Sequence, residues 1–155
     1  MRKHVFLLVI ILVLSMLSGW AWAAVSPFGE LDENRAKLLL QEVGSGDVVP
    51  GIYQLTKGTY KGNFLVIPND GSLRPEAKYI GVVIDSSNSY EKSGYVKFWL
   101  IPRDAPTAFS AEYYNYGGWV TNKIEGEAYS TTGVLTVSLQ GVQNINAPNM
   151  FFKIF

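Results

Sequence analysis

Few residues in this chain can carry chemistry, and their spacing limits what that chemistry could be. Ser89-Tyr90-Glu91-Lys92 spells S-x-x-K, and Ser93 precedes Lys97 by four positions. A serine activated by a lysine needs no histidine. The companion motifs of the penicillin-binding enzymes are absent, so the stretch reads as a polar loop. Glu125 and Glu127 alternate with Lys123 and Tyr129, which puts all four on one face of an extended segment. Two carboxylates roughly 7 Å apart fall in the range of about 5–10 Å used for glycoside hydrolysis. With Glu112 they are the residues on which a carboxylate-dependent hydrolase would rest. The plainer reading is a solvated strand face that keeps an edge from pairing, because functional carboxylate pairs come from different elements around a cleft. Asn69-Asp70-Gly71 has the look of a calcium loop but lacks its repeated acidic ligands and closing glutamate, so a turn is expected. Lys57, Lys61 and Lys78 offer a small basic patch that nothing separates from ordinary solvated surface.

The densest feature is Glu112-Tyr113-Tyr114-Asn115-Tyr116-Gly117-Gly118-Trp119. Tyr and Trp offer apolar area with a polar tip, which suits binding surfaces. Tyr113, Tyr114, Tyr116 and Trp119 are therefore the expected binding residues. Residues two apart share a face, so some rings point inward and the others meet solvent or a partner. The competing expectation is that alternate members fill a core, since aromatic residues are enriched in strands.

What is missing is as informative. There is no Cys, and the single His is His4. That histidine lies in a leader. Arg2, Lys3 and His4 precede an apolar run from Val5 to Leu17, and Ala21-Trp22-Ala23 suits a cut before Ala24. The run is short of the roughly 20 residues that span a bilayer, which favours a cleaved signal peptide over an anchor. Without residues 1–23 the chain has neither His nor Cys. A Ser-His-Asp or Cys-His triad, a His or Cys zinc site and a disulfide are excluded, and no metal or cofactor is expected. Lys+Arg and Asp+Glu number 13 each, and loss of Arg2 and Lys3 leaves 11 − 13 = −2. A nucleic-acid partner, which needs a basic footprint, is not expected.

The elements that must position these residues change character at Gly51. Leu31 to Val43, LDENRAKLLLQEV, is leucine-rich with acids in its first turn and Gly44 behind it, which predicts a helix over about 30–43. From Gly51 the period shifts to 2, with turn signals every 8–12 residues. Segments 52–57, 60–67, 78–85, 94–101, 108–114, 119–129 (as one strand or two), 134–140 and 150–155 read as short strands. Tyr79–Ile84 and Tyr95–Ile101 are apolar on both faces, so a second layer must cover them, and the helix is the available cover.

The expected molecule is mainly β: an antiparallel barrel or sandwich of seven to eight short strands with one N-terminal amphipathic helix. Its divisions are a signal peptide (1–23), a helix and linker (24–50) and a β domain (51–155). The expected function is an exported, non-enzymatic binding or interaction module. Its partner would be a protein, such as an inhibited hydrolase or a neutralised toxin, or a small apolar ligand. The alternatives are the carboxylate-dependent hydrolase and a small outer-membrane β-barrel. The terminal Phe155 suits the barrel alternative, but Lys153 on the face of Phe151 and Phe155 would put a charge into lipid. No stable membrane insertion is therefore expected after the leader is removed.

Overall fold

Eight strands among the described residues pair in chain order, and the last closes on the first. This is seen in a computed structural model that describes residues 28–44, 46–117, 120–141 and 148–155. The strands are β1 (Gly51–Lys57), β2 (Tyr60–Pro68), β3 (Tyr79–Ser86), β4 (Val96–Pro102), β5 (Ala108–Gly117), β6 (Val120–Thr131), β7 (Val134–Leu139) and β8 (Asn149–Lys153). All pairings are antiparallel, and β8 returns to β1 through Tyr53↔Lys153 and Leu55↔Phe151. The sheet is thus a closed barrel rather than a sandwich, and the described part of the segment, 120–129, belongs to one long strand. Gly58 and Gly133 turn the β1–β2 and β6–β7 hairpins at φ 61° and 79°, a region where a Cβ is strained.

Period-2 alternation sorts the side chains into two layers. Inward residues fill the lumen. Phe64 and Phe98 each meet Phe151 edge to face with ring centroids 5.4 Å apart, and Phe98 stacks on Tyr113 at 6.5 Å. Gly81 faces the Phe98 ring so closely that a Cβ would overlap it. The outward residues of β2, β3 and β4 form a second buried cluster with Leu31, Ala36, Tyr114 and Tyr116. Both faces of Tyr79–Ile84 and of Val96–Leu100 are consequently buried, as their composition requires.

The cover comes from α1 (Glu33–Val43) and the residues before it. Asp32 caps the helix by accepting from the Arg35 amide at 2.7 Å, and Gly44 follows at φ 76°. The main contacts of α1 fall on β2 and β1 rather than on β3 or β4, where the cover was expected. The reason is a staple: Ser93 Oγ accepts from the Leu31 amide at 2.7 Å and donates to the Leu31 carbonyl at 2.5 Å. This holds the entry to the helix beside the β3–β4 connection, and the helix runs on from there across the neighbouring strands.

The barrel has two distinct ends. At the lower end, Lys153 donates to the carbonyls of Val48 and Pro50 at 2.5 and 2.8 Å, with its ammonium 5.5 Å from the Tyr53 ring. Phe151 and Lys153 do share a face, but that face is the lumen. The lysine therefore plugs the barrel instead of addressing the outside, because β8 pairs with Phe151 inward. The upper end gathers the β1–β2 and β3–β4 connections with the ends of β5 and β7 and the starts of β6 and β8, and it is built differently.

Candidate functional site

One irregularity creates the upper end. Gly81 pairs with Phe98 but Val82 pairs with Val96, so Lys97 is an extra residue in β4. The bulge sends Val96 outward while Lys97 and Phe98 both reach the lumen side, where the Lys97 ammonium lies 4.4 Å from the Tyr113 ring centroid. A lysine at 1% exposure needs a counter-charge, and Glu91, at 5%, supplies it from the β3–β4 connection. The Lys97 amine donates to Glu91 Oε1. Glu91 Oε2 accepts from Tyr60 at 2.6 Å and from Ser86 at 2.8 Å. The connection is itself pinned: Asn88 donates to the Tyr116 carbonyl at 2.9 Å, and Glu91 N bonds the Asn88 carbonyl.

Desolvation governs the titration of this cluster. Burial lowers the Lys97 amine below its ordinary value, against the opposing pull of Glu91. Burial raises the Tyr60 phenol, and its hydrogen bond to Glu91 raises it further. Tyr113 is raised well above the usual phenol value, again chiefly by burial. Across the mouth, Lys57 donates to Asn149 Oδ1 at 3.1 Å and ties the end of β1 to the start of β8. These groups line a cleft of about 160 Å³ together with Leu55, Asn88 and Asn115. The lining carries two ammoniums and one carboxylate, a net charge of 2 − 1 = +1.

The residues picked from the sequence fall in several places. Tyr113 reaches the mouth from the lumen. Tyr114 and Tyr116 point outward but are covered: Tyr116 donates to the Val96 carbonyl and lies 5.3 Å from the Tyr95 ring, while Tyr114 packs with Trp99. At 6%, 8% and 5% exposure, Tyr113, Tyr114 and Tyr116 form no exposed platform. A strand's own pattern cannot reveal that distant segments, here residues 28–31 and 86–95, lie over its outer face. Trp119 lies outside the described residues. Its flanking Gly117 and Val120 pair with each other at the upper end.

The other motifs lie elsewhere on the barrel, and Glu125 and Glu127 guard no sheet edge, because β6 is paired on both sides. Glu112 and Glu125 sit directly opposite each other on the outer wall, with Lys123 3.5 Å from both and Arg74 on Glu112. Glu127 pairs with Arg103 at 2.5 Å, which holds its carboxyl below the usual range, the opposite of what a general acid requires. Ser89 is exposed, and Ser93 spends its hydroxyl on Leu31, so neither serine meets a lysine amine. Asp70 caps a turn by accepting from Ser72 N at 2.8 Å. Among the described residues no three potential metal ligands converge. Lys57 and Lys78 stand at opposite ends of the barrel, and Lys78 pairs with Asp47 at 3.1 Å. The patch of Lys57, Lys61 and Lys78 is therefore not formed.

Reading motifs alone passes over the mouth. The available signal was Lys97 itself, the one charge inside GYVKFWLI, a run apolar on both faces. A charge there has to be paired, and its partner marks where the barrel opens. Comparison with protein families, with curated proteins and with solved structures finds no match for this chain.

Proposed function

We propose that this protein is an exported, non-enzymatic binding module that engages its ligand at the upper mouth of the barrel. The observation that carries the reading is the Lys97–Glu91 pair, two buried charges held against the cleft at the upper mouth of the barrel. Replacing a buried pair by apolar residues is often neutral or stabilising, so such a pair is poorly explained by stability alone. The mouths of β-barrels are common ligand sites. Packed rings fill the described lumen, which favours a polar ligand at the mouth over an apolar one at the barrel's centre. Glu112, Glu125 and Glu127 do line one cleft of about 370 Å³ on the outer wall, but Arg74, Lys123 and Arg103 pair with them there, which favours binding over the hydrolase alternative.

Export is supported by the leader pattern of residues 1–23. The apolar lumen and the ion-paired outer wall of β5 and β6 are the inverse of a membrane-spanning barrel, which favours a water-facing molecule. N-terminal sequencing of the exported protein is expected to begin at Ala24; a start at Met1 would count against cleavage.

Amide chemical shifts test the binding reading. A panel of small neutral, anionic and cationic compounds should include some that shift Asn88, Glu91, Asn115 and Asn149 together. Shifts confined to the barrel wall or to α1 would sink it. A protein partner is the second reading, favoured by exposed apolar residues on and just after β8: Met150, Phe152 and Ile154 are 43%, 51% and 53% exposed. It expects Phe152→Glu to abolish capture of a partner that the parent protein retains, with an unchanged melt.

A further inference from the structure

We infer that two copies of this chain meet through the outer face of β7 and β8, across a two-fold axis that sets Phe152 against the partner's Phe152; this rests on the protein-partner reading. The outer wall of the barrel falls into sectors. The helix and its entry segment cover the wall of β2, β3 and β4. The wall of β5 and β6 carries ion pairs, Glu112 and Glu125 with Lys123 and Glu127 with Arg103. The next sector differs from both. Leu135, Val137 and Phe151 lie inside, so Val134, Thr136, Ser138, Met150 and Phe152 face out, and none of these bears a charge.

Register makes this a continuous face. Thr136 lies between Tyr129 and Met150, and Val134 lies between Thr131 and Phe152. Gln54 stands on the far side of Phe152. Phe152 is thus the middle of the face, with Met150 and Ile154 along its own segment. Tyr129, at 45% exposure, matches the openness of these three. Half-exposed side chains of this size, with Val134, offer roughly 450 Å² of apolar surface, an extent that marks an interaction site. The uncharged rim of threonines, Ser138 and Gln54 brings the face to roughly 800 Å², one partner's share of a standard interface.

The missing charge selects the occupant. A charged partner surface would be desolvated here without any counter-charge, which is costly. The matching surface is itself uncharged and apolar at its centre, and every copy of this chain carries one. A two-fold axis through Phe152 lays apolar centre on apolar centre and uncharged rim on uncharged rim, with no charge buried. The closed barrel offers no strand edge to extend, so the copies meet face to face and not by strand addition.

Sedimentation equilibrium of the exported protein over about 1–500 µM tests this. A reversible monomer–dimer equilibrium is expected. Phe152→Glu should weaken it about thirtyfold or more, the scale of a lost hot spot. At a dilution where the parent is monomeric, the melt of this variant should match the parent's. Leu38→Glu, at a similarly exposed leucine of α1, should leave the dimer unchanged. Phe152→Lys alone should also be monomeric. Mixing it with Phe152→Glu should restore a one-to-one dimer, because the axis sets the two opposite charges side by side. A dimer that survives Phe152→Glu, or that the mixture fails to restore, would overturn the inference. A monomer at every concentration would overturn it too, while capture of a different protein, lost in Phe152→Glu, would keep the protein-partner reading. A monomer that floats with phosphatidylcholine vesicles, and ceases to in Phe152→Glu, would give the face to a lipid surface and overturn the inference.

Discussion

Lys97 shows how one residue can shape an end of the molecule. Its burial brings Glu91 beside it as a partner, and Glu91 in turn draws in Tyr60 and Ser86. Lys97→Met should cost about 3–5 kcal/mol, because it strands a buried carboxylate. Adding Glu91→Gln to that variant should recover most of the loss. Urea melts of the single and double variants check this, and equal stabilities for the two would mean that the charges are not coupled. Glycines give a second test. At Gly81 a methyl would overlap the packed Phe98 ring, and at Gly126 it would overlap the Ser138 backbone carbonyl. Each Gly→Ala should cost about 1–3 kcal/mol, with Gly126 the worse because a sheet backbone cannot step aside. At this scale the sequence is legible where alternation decides. Leu135 and Val137 are inward and buried while Ser138 is exposed, as their pattern requires. It is illegible where remote segments decide, which is why Tyr114 and Tyr116 are core instead of surface.

The helix and its entry segment act as one cover, fixed at two points. Asp32 satisfies the first turn, and Ser93 binds both polar backbone groups of Leu31. Asp32→Ala should lower stability by about 1 kcal/mol, the usual value of an N-cap. Ser93→Ala leaves two Leu31 backbone groups without that partner and should cost about 1–3 kcal/mol. The two variants should also differ in kind. Amide exchange should speed up at Leu31 in Ser93→Ala but at Arg35 in Asp32→Ala. Uniform acceleration along the barrel in both would mean that the cover does not open as a unit. The helix itself was readable from its acids, leucines and Gly44. Its seat on β2 and β1 was not, since that depends on Ser93, 62 positions from Leu31. The same limit applies to β8: that Phe151 and Lys153 share a face is a matter of parity, but which face is inward is fixed only by pairing with β1 and β7.

For the molecule as a whole, burial of phenols makes alkaline stability the sharpest test of the fold. Burial raises Tyr53, Tyr60, Tyr79, Tyr113, Tyr114 and Tyr116 above the ordinary value of 10.0, Tyr53 to about 12. An unfolded chain ionises these phenols near pH 10, whereas the barrel keeps them protonated. A folded value above the unfolded one means that the folded state holds more protons in that window, so stability falls as pH rises. The contribution of these tyrosines is complete below pH 10 and is lost progressively toward about pH 12, where Tyr53 ionises in the barrel. Lys97 and Lys153 work in the opposite sense, because burial lowers their amines and the unfolded chain then binds the extra proton. Two lysines oppose six phenols, and the phenols dominate. The expected outcome is cooperative unfolding above pH 10, with phenolate absorbance rising in the same narrow interval in which the strand circular dichroism collapses. Tyr53→Phe should move that interval upward, since it removes one group that gains by ionising in the unfolded chain. A broad phenolate titration centred near pH 10 with intact circular dichroism would mean that these rings are reached by solvent and that the lumen is not the packed core described here.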